Sequence, residues 1–263
     1  MCLHVCSPSI QRCYQADNEG VGRRRTIPSW HCLLCNAESL VLGQGIYPSW
    51  DEVVIVMPTN NTGFMIGYLA GKFKDSIGLL ISPNGWRYLP EVIPYALDNG
   101  AYYAFTNKTE WDEKEFYKML DKVPCWNKPL WVACPDKVMD KNETLKMWDK
   151  HYERISEWKF PVAFVAQDGM TPSDVPSEAE IIFMGGSFEW KWKMLPEFCS
   201  IGKRVHCGRV NSYEGLWICD ENNVESCDGT GWVRGGMKRL QPLIKYLEEK
   251  YGNGRSQKCL LKT

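Results

Sequence analysis

The 263-residue sequence has no apolar run long enough to cross a bilayer, which argues against a helical membrane span. It has no surplus of either charge: 31 Lys and Arg stand against 32 Asp and Glu, for a net charge of −1. Bulk electrostatics therefore give no attraction to phosphate, and a polyanionic partner would need a local basic patch and specific contacts. The first residues lack the basic start, apolar stretch and small-residue cleavage site of a secretory signal, so a cytoplasmic protein is expected.

The 12 cysteines lack the regular spacing of a disulfide framework, and without an export signal they read as reduced thiols. His31, Cys32 and Cys35, with Cys2, Cys6 and Cys13, supply donors for a zinc or iron–sulfur site. A lone Cys-x-x-Cys without a second well-spaced pair reads more simply as free thiols, and no bound metal is expected. Cys134, Cys207 and Cys227 read as small buried hydrophobes near strand ends.

Residues 1–50 show no clear periodicity and read as an irregular N-terminal extension that includes the basic run Arg23-Arg24-Arg25. From Asp51 onward, short apolar runs alternate with helix-like stretches, as in βα units. Eight strands are expected, at 53–57, 77–81, 95–98, 130–134, 162–167, 181–184, 205–208 and 224–228. Asp112 with Glu115 marks a helix start, Leu145, Trp148, Tyr152 and Ile155 repeat at helical spacing, and an amphipathic helix runs from Met237 to about Tyr251. The pattern predicts an α/β fold, a (β/α)8 TIM-like barrel over 51–252 with a tail at 253–263; an open doubly wound sheet is the alternative.

Polar residues cluster where strands end, which in such a barrel is the mouth. They are Asp98-Asn99-Gly100, Pro135-Asp136, Gln167-Asp168-Gly169, Gly185-Gly186, Gly208-Arg209-Val210-Asn211 and Asp228-Gly229-Thr230-Gly231. Carboxylates at several strand ends allow one to act as nucleophile while another moves a proton, as glycosidic-bond chemistry requires. Gln167 and the backbone at Gly185 and Gly186 suit a flat heterocycle with fixed donors and acceptors. Taken singly, each Asp also reads as a helix cap and each Gly pair as a tight turn.

The run Tyr95-Ala-Leu-Asp-Asn-Gly-Ala-Tyr resembles the proton-handling motif of tRNA-guanine transglycosylases, and Ser226-Cys-Asp-Gly-Thr-Gly resembles their nucleophile loop. The smaller DNA-acting, DpdA-like branch of phages and genomic islands is more similar still. That likeness lies in Pro135-Asp136, Phe164-Val-Ala-Gln-Asp-Gly-Met, Phe183-Met-Gly-Gly-Ser and Gly208-Arg-Val-Asn-Ser. The resemblance implies a guanine transglycosylase in which Asp228 is the nucleophile, forming a covalent glycosyl-enzyme, and Asp98 handles the proton. It implies that Asp136, Gln167, Gly185 and Gly186 read the base, that Arg209 and Asn211 contact substrate, and that Arg234 meets phosphate. The implied partners are DNA, with its guanine nucleotide flipped or single-stranded, a free 7-deazaguanine such as 7-cyano-7-deazaguanine, and accessory DNA-modification proteins. If the chain is phage-encoded, the expected compartment is the host cytoplasm.

The sequence departs from the tRNA enzymes in two respects. Their structural zinc site of three cysteines and a histidine is not matched, since only Cys259 and no histidine follows Asp228, so no cofactor is expected. Ala101 stands at the second glycine of the proton-handling motif. Two other functions fit the same residues: a hydrolytic nucleosidase or glycosidase, and a non-catalytic nucleic-acid-binding subunit of a DNA-modification complex. His206 reads as a site-lining or packed strand residue, and Trp190 and Trp192 as base-stacking or packing residues.

Overall fold

The computed structural model describes residues 54–58, 63–85, 92–234 and 236–252. The expected extension over 1–50, with its cysteines, His31 and Arg23–Arg25, lies outside the described residues, as does the tail at 253–263 with Cys259.

Eight strands form one parallel sheet: β1 (Ile55–Met57), β2 (Leu79–Ile81), β3 (Tyr95–Leu97), β4 (Val132–Ala133), β5 (Val162–Ala166), β6 (Ile181–Met184), β7 (Arg204–Cys207) and β8 (Ser226–Asp228). Their order is β1-β8-β7-β6-β5-β4-β3-β2, so each strand lies beside its sequence neighbours and β1 pairs with β8. The remaining gap closes where Val56 bridges Ile77, the Val56 amide donating to Ser76 O at 2.9 Å and the Gly78 amide to Val56 O at 3.0 Å. The sheet is thus a barrel rather than an open doubly wound sheet, because its first strand bonds at both edges.

The outer layer comprises α1 (Phe64–Lys72), α2 (Ala101–Asn107), α3 (Glu113–Asp121), α4 (Lys141–Ser156), α5 (Phe188–Cys199), α6 (Tyr213–Glu221) and α7 (Met237–Tyr251). Local sequence explains their starts. The side chains of Asp112, Asp140, Ser187 and Ser212 accept hydrogen bonds from the amides of Glu115, Glu143, Trp190 and Gly215, satisfying donors that a helix leaves open at its first turn. The Leu145, Trp148, Tyr152, Ile155 periodicity falls within α4, and the helix expected from Met237 is α7.

The expectation of a helical return after every strand needs correction at two places. Between β5 and β6 the chain makes only a 3-10 turn at Pro172–Asp174, and the described part of the β2–β3 connection holds only the 3-10 turn Pro83–Gly85. Proline favours such turns, since it fixes φ and has no amide to donate. The strands are also shorter than their apolar runs, because several flanking residues fall outside the strand bounds while staying buried and still bonding to the neighbouring strands. Trp131 and Cys134, on either side of β4, are examples.

The core fills both the barrel interior and the layer between barrel and helices. Leu69, Leu195, Leu216 and Leu247 are fully buried from α1, α5, α6 and α7, each contributing about 1.5–3 kcal/mol of transfer free energy. Strands covered on both faces become near-continuous apolar runs, which is why they were visible in the sequence.

Candidate active site

The C-terminal ends of the strands open onto one mouth. Asp98 directly follows β3, its amide donating to Ile81 O at 2.8 Å, so strand pairing extends to this residue. Its Oδ2 accepts the Gly100 amide at 3.2 Å. Removal from water, and then the charges of Asp228 and Asp136, push the Asp98 carboxyl up to about 7. Like charges raise one another only at short range, so three carboxylates from β3, β4 and β8 act on a common space.

Asp228 ends β8 with its side chain 13% exposed. Its Oδ2 lies 3.2 Å from Nε2 of His206 and accepts the Arg209 amide at 3.1 Å. Where the carboxylate is the acceptor in this contact, the donor is His206 Nε2–H, and Nδ1 faces Ser226 Oγ at 2.8 Å. The imidazole has no exposed surface and packs between Trp131 and Phe183, with ring centroids 4.6 and 4.5 Å away. Two donors hold one carboxylate oxygen, Oδ2, rather than being shared between the two oxygens.

Asp136 is the acceptor of a buried amide pair. Asn99 Nδ2 and Gln167 Nε2 donate to its two oxygens, each at 2.7 Å. Burial pushes its carboxyl up to about 6, against the lowering effect of those two amides. Asn99 also donates to Cys134 O at 2.7 Å and accepts the Ala101 amide at 2.7 Å, so it ties β3, β4 and α2 together. Gln167 Oε1 accepts the amides of Met139 and Gly186 at 2.9 and 3.1 Å. All the polar atoms of this network face one another, which fixes their orientation.

The remaining expected site residues fall into two groups. Gly185 and Gly186 lie in the mouth, but the Gly185 amide donates to Ala166 O at 3.0 Å and the Gly186 amide to Gln167, so both amides have partners within the protein. Gly186 has φ 61°, and a Cβ there would sit 2.5 Å from Trp190 Cε3. Arg209 also has a positive φ, 57°. Its guanidinium donates to Gly186 O and lies over the Tyr102 ring at 4.8 Å, so the side chain reaches from the end of β7 to the helix after β3, on the opposite wall. Asn211 accepts the Gly231 amide at 2.7 Å and its Nδ2 donates to Arg209 O at 3.3 Å, holding the loop after Asp228. Arg234 is exposed beyond that loop, and among the described residues no carboxylate forms an ion pair with it. Trp190 and Trp192 are partly buried against the core, and Asp168 accepts the Ser187 amide at 2.6 Å at the start of α5.

Sequence reasoning gave no individual role to Asn99, Ser226 or Lys191, and left His206 undecided. The Asp-Asn pair at 98–99 carried the signal for Asn99, since two polar side chains directly after an apolar run serve different faces. Among the described residues no group of three or more His, Cys, Asp or Glu side chains is arranged to hold a metal ion, and no helix is long and apolar enough to cross a membrane. No protein-family model matches the chain, and no curated protein matches it either.

Proposed function

We propose that the protein is a base-exchange transglycosylase that replaces guanine in DNA with a 7-deazaguanine derivative. The observation that carries this reading is the pairing of unlike carboxylates in one mouth: Asp98 pushed up to about 7 partly by the charge of Asp228, and Asp228 held at a single oxygen by His206 and the Arg209 amide. A group near 7 gives and takes protons at neutral pH, which is the role of a general acid and base. A carboxylate with one oxygen tied and one open is suited to attack at carbon.

In the proposed reaction Asp228 Oδ1 attacks C1′ of the sugar while the bond from C1′ to the guanine nitrogen breaks, and protonated Asp98 gives its proton to the leaving base. The incoming 7-deazaguanine then gives its own N–H proton to the Asp98 carboxylate as that nitrogen bonds C1′, and Asp228 leaves as carboxylate. Asp136, fixed by Asn99 and Gln167, supports recognition of the flat base at the mouth. The order of the motifs along the chain supports guanine as that base. The target nucleotide must be unstacked to reach carboxylates set at strand ends.

The test is incubation of the protein with DNA oligonucleotides and labelled guanine or 7-cyano-7-deazaguanine, followed by nucleoside mass spectrometry. Incorporation of label that disappears with Asp228→Ala supports exchange. Release of free base without incorporation points to a hydrolase on the same site. Unchanged modified-base content of cellular DNA with Asp228→Ala points to a non-catalytic binding role.

A further inference from the structure

Helix α5 presents Lys191, Leu195 and Phe198 at the spacing of one helical face, and all three are fully buried. A lysine on that face is out of pattern. Glu189 and Lys193 of the same helix are exposed, so the ammonium has been turned inward rather than left without a surface. Taking such an ion out of water costs several kcal/mol even after relaxation. Something at this position therefore needs a cation.

The Lys191 ammonium donates to the carbonyl oxygen of Gly208. That carbonyl shares one peptide group with the Arg209 amide, which donates to Asp228 Oδ2 at 3.1 Å. In a trans peptide the C=O and N–H point in opposite directions, so ammonium, peptide and carboxylate form one line of donors. The orientation of this peptide is imposed. Arg209 has φ 57°, and a non-glycine residue held in sparsely populated backbone costs about 1–3 kcal/mol. Polarisation along such a chain strengthens each bond, by perhaps 10–30% in condensed phase. Burial lowers the proton affinity of Lys191, and the charge of Asp228 acts to restore it, so the two groups are electrostatically linked.

We propose that Lys191 is a positioning residue for Asp228, acting through the Gly208–Arg209 peptide. It aims the Arg209 amide at Oδ2 and stabilises the ionised carboxylate, which leaves Oδ1 directed at the mouth. The role in catalysis rests on the exchange reading above; the coupling between Lys191 and Asp228 does not. The other charged or titratable groups around the pair are His206, Cys207 and Arg209 from β7 and its loop, Cys219 from α6, and Asp98 and Asp136 from across the mouth. Burial holds the Cys207 thiol well above its ordinary range, so it adds no charge at neutral pH.

The experiment follows the Asp228 carboxyl carbon by NMR against pH in the wild-type chain, in Lys191→Met and in Lys191→Gln, which keeps a donor but no charge. The titration midpoint of Asp228 is expected to move upward in both variants. The acid limb of the exchange rate should move with it, so that kcat falls on the acid side with KM unchanged, while Lys191→Arg recovers most of that loss. Folded variants whose Asp228 midpoint stays at the wild-type value overturn the proposal. Should Lys191→Met fail to fold, Lys191→Gln decides the matter alone. A shifted midpoint in a protein that exchanges no base supports the coupling and counts against the transglycosylase reading, so the two failures are distinguishable.

Discussion

His206 bridges two residues of the neighbouring strand: Nε2 lies 3.2 Å from Asp228 Oδ2 and Nδ1 lies 2.8 Å from Ser226 Oγ. Ser226 and Asp228 are two apart on β8 and so share its inner face. One imidazole thereby orients the proposed nucleophile from below, while the Arg209 amide holds it from the side.

This arrangement predicts different outcomes for two substitutions of His206. His206→Leu removes the donor to Oδ2 and should lower the rate of covalent capture at Asp228 by about 100-fold, the scale of a small misplacement of a reacting group. His206→Gln can still present an N–H and should lose markedly less. Mass spectrometry of the trapped protein, alongside thermal melts, reads the result. Equal losses in the two variants would mean that the histidine only fills space.

Asp98 predicts a pH dependence of stability. Folding raises its carboxyl from the ordinary range near 4 to about 7, so the native state holds this proton more tightly than the unfolded chain. The stabilisation is complete below the unfolded value, and it is lost as pH rises through about 7. Wild-type melting temperature should therefore fall between pH about 4 and about 7. Asp98→Asn should flatten that fall and melt higher than wild type on the alkaline side, while abolishing exchange. A wild-type slope retained in Asp98→Asn refutes the assignment.

Replacing Asp136 with asparagine tests the proposed role of its network in base recognition. The carboxylate accepts from Asn99 and from Gln167, and an amide in its place must turn an NH2 toward one of them. A buried donor left without an acceptor costs about 1–3 kcal/mol. The expected result for Asp136→Asn is a lower melting temperature and weaker binding of the free base, measured by calorimetry. Binding at wild-type strength would remove Asp136 from the recognition site.

Gly229 predicts a steric effect. A Cβ there would collide with the Val210 carbonyl oxygen and sit 2.7 Å from Asn211 Oδ1, so the loop after Asp228 closes only without a side chain. Gly229→Ala should destabilise by about 1–3 kcal/mol and displace Asp228, seen as lost activity with retained helix content. An alanine variant that is fully active would show that the loop has room to spare.

Much of this was open to reading in the linear chain. Parallel strands buried on both faces leave apolar runs, and the runs at 162–167 and 181–184 gave β5 and β6 nearly whole. Because the mouth of a barrel is where strands end, polar residues after each run marked Asp98, Asp136, Gln167 and Asp228 as neighbours. The runs around β2 and β3 were equally clear, but nothing in them showed that a 3-10 turn, rather than a helix, follows β2 in the described residues.

The amino-acid sequence by itself determined the eight strands, helices in most of the connections between them and the collection of carboxylates at one end. Only the tertiary structure decided which face each residue takes. In β7 and β8 the polar His206, Ser226 and Asp228 point inward to one another, whereas Cys207 and Cys227 pair across the strands in the alternate positions, and the alternation along these strands does not say which set faces the interior. It also decided that Lys191, a charged residue in a charged stretch, is buried against Gly208, because the acceptor that holds it lies 17 residues away and meets it only once the barrel has closed.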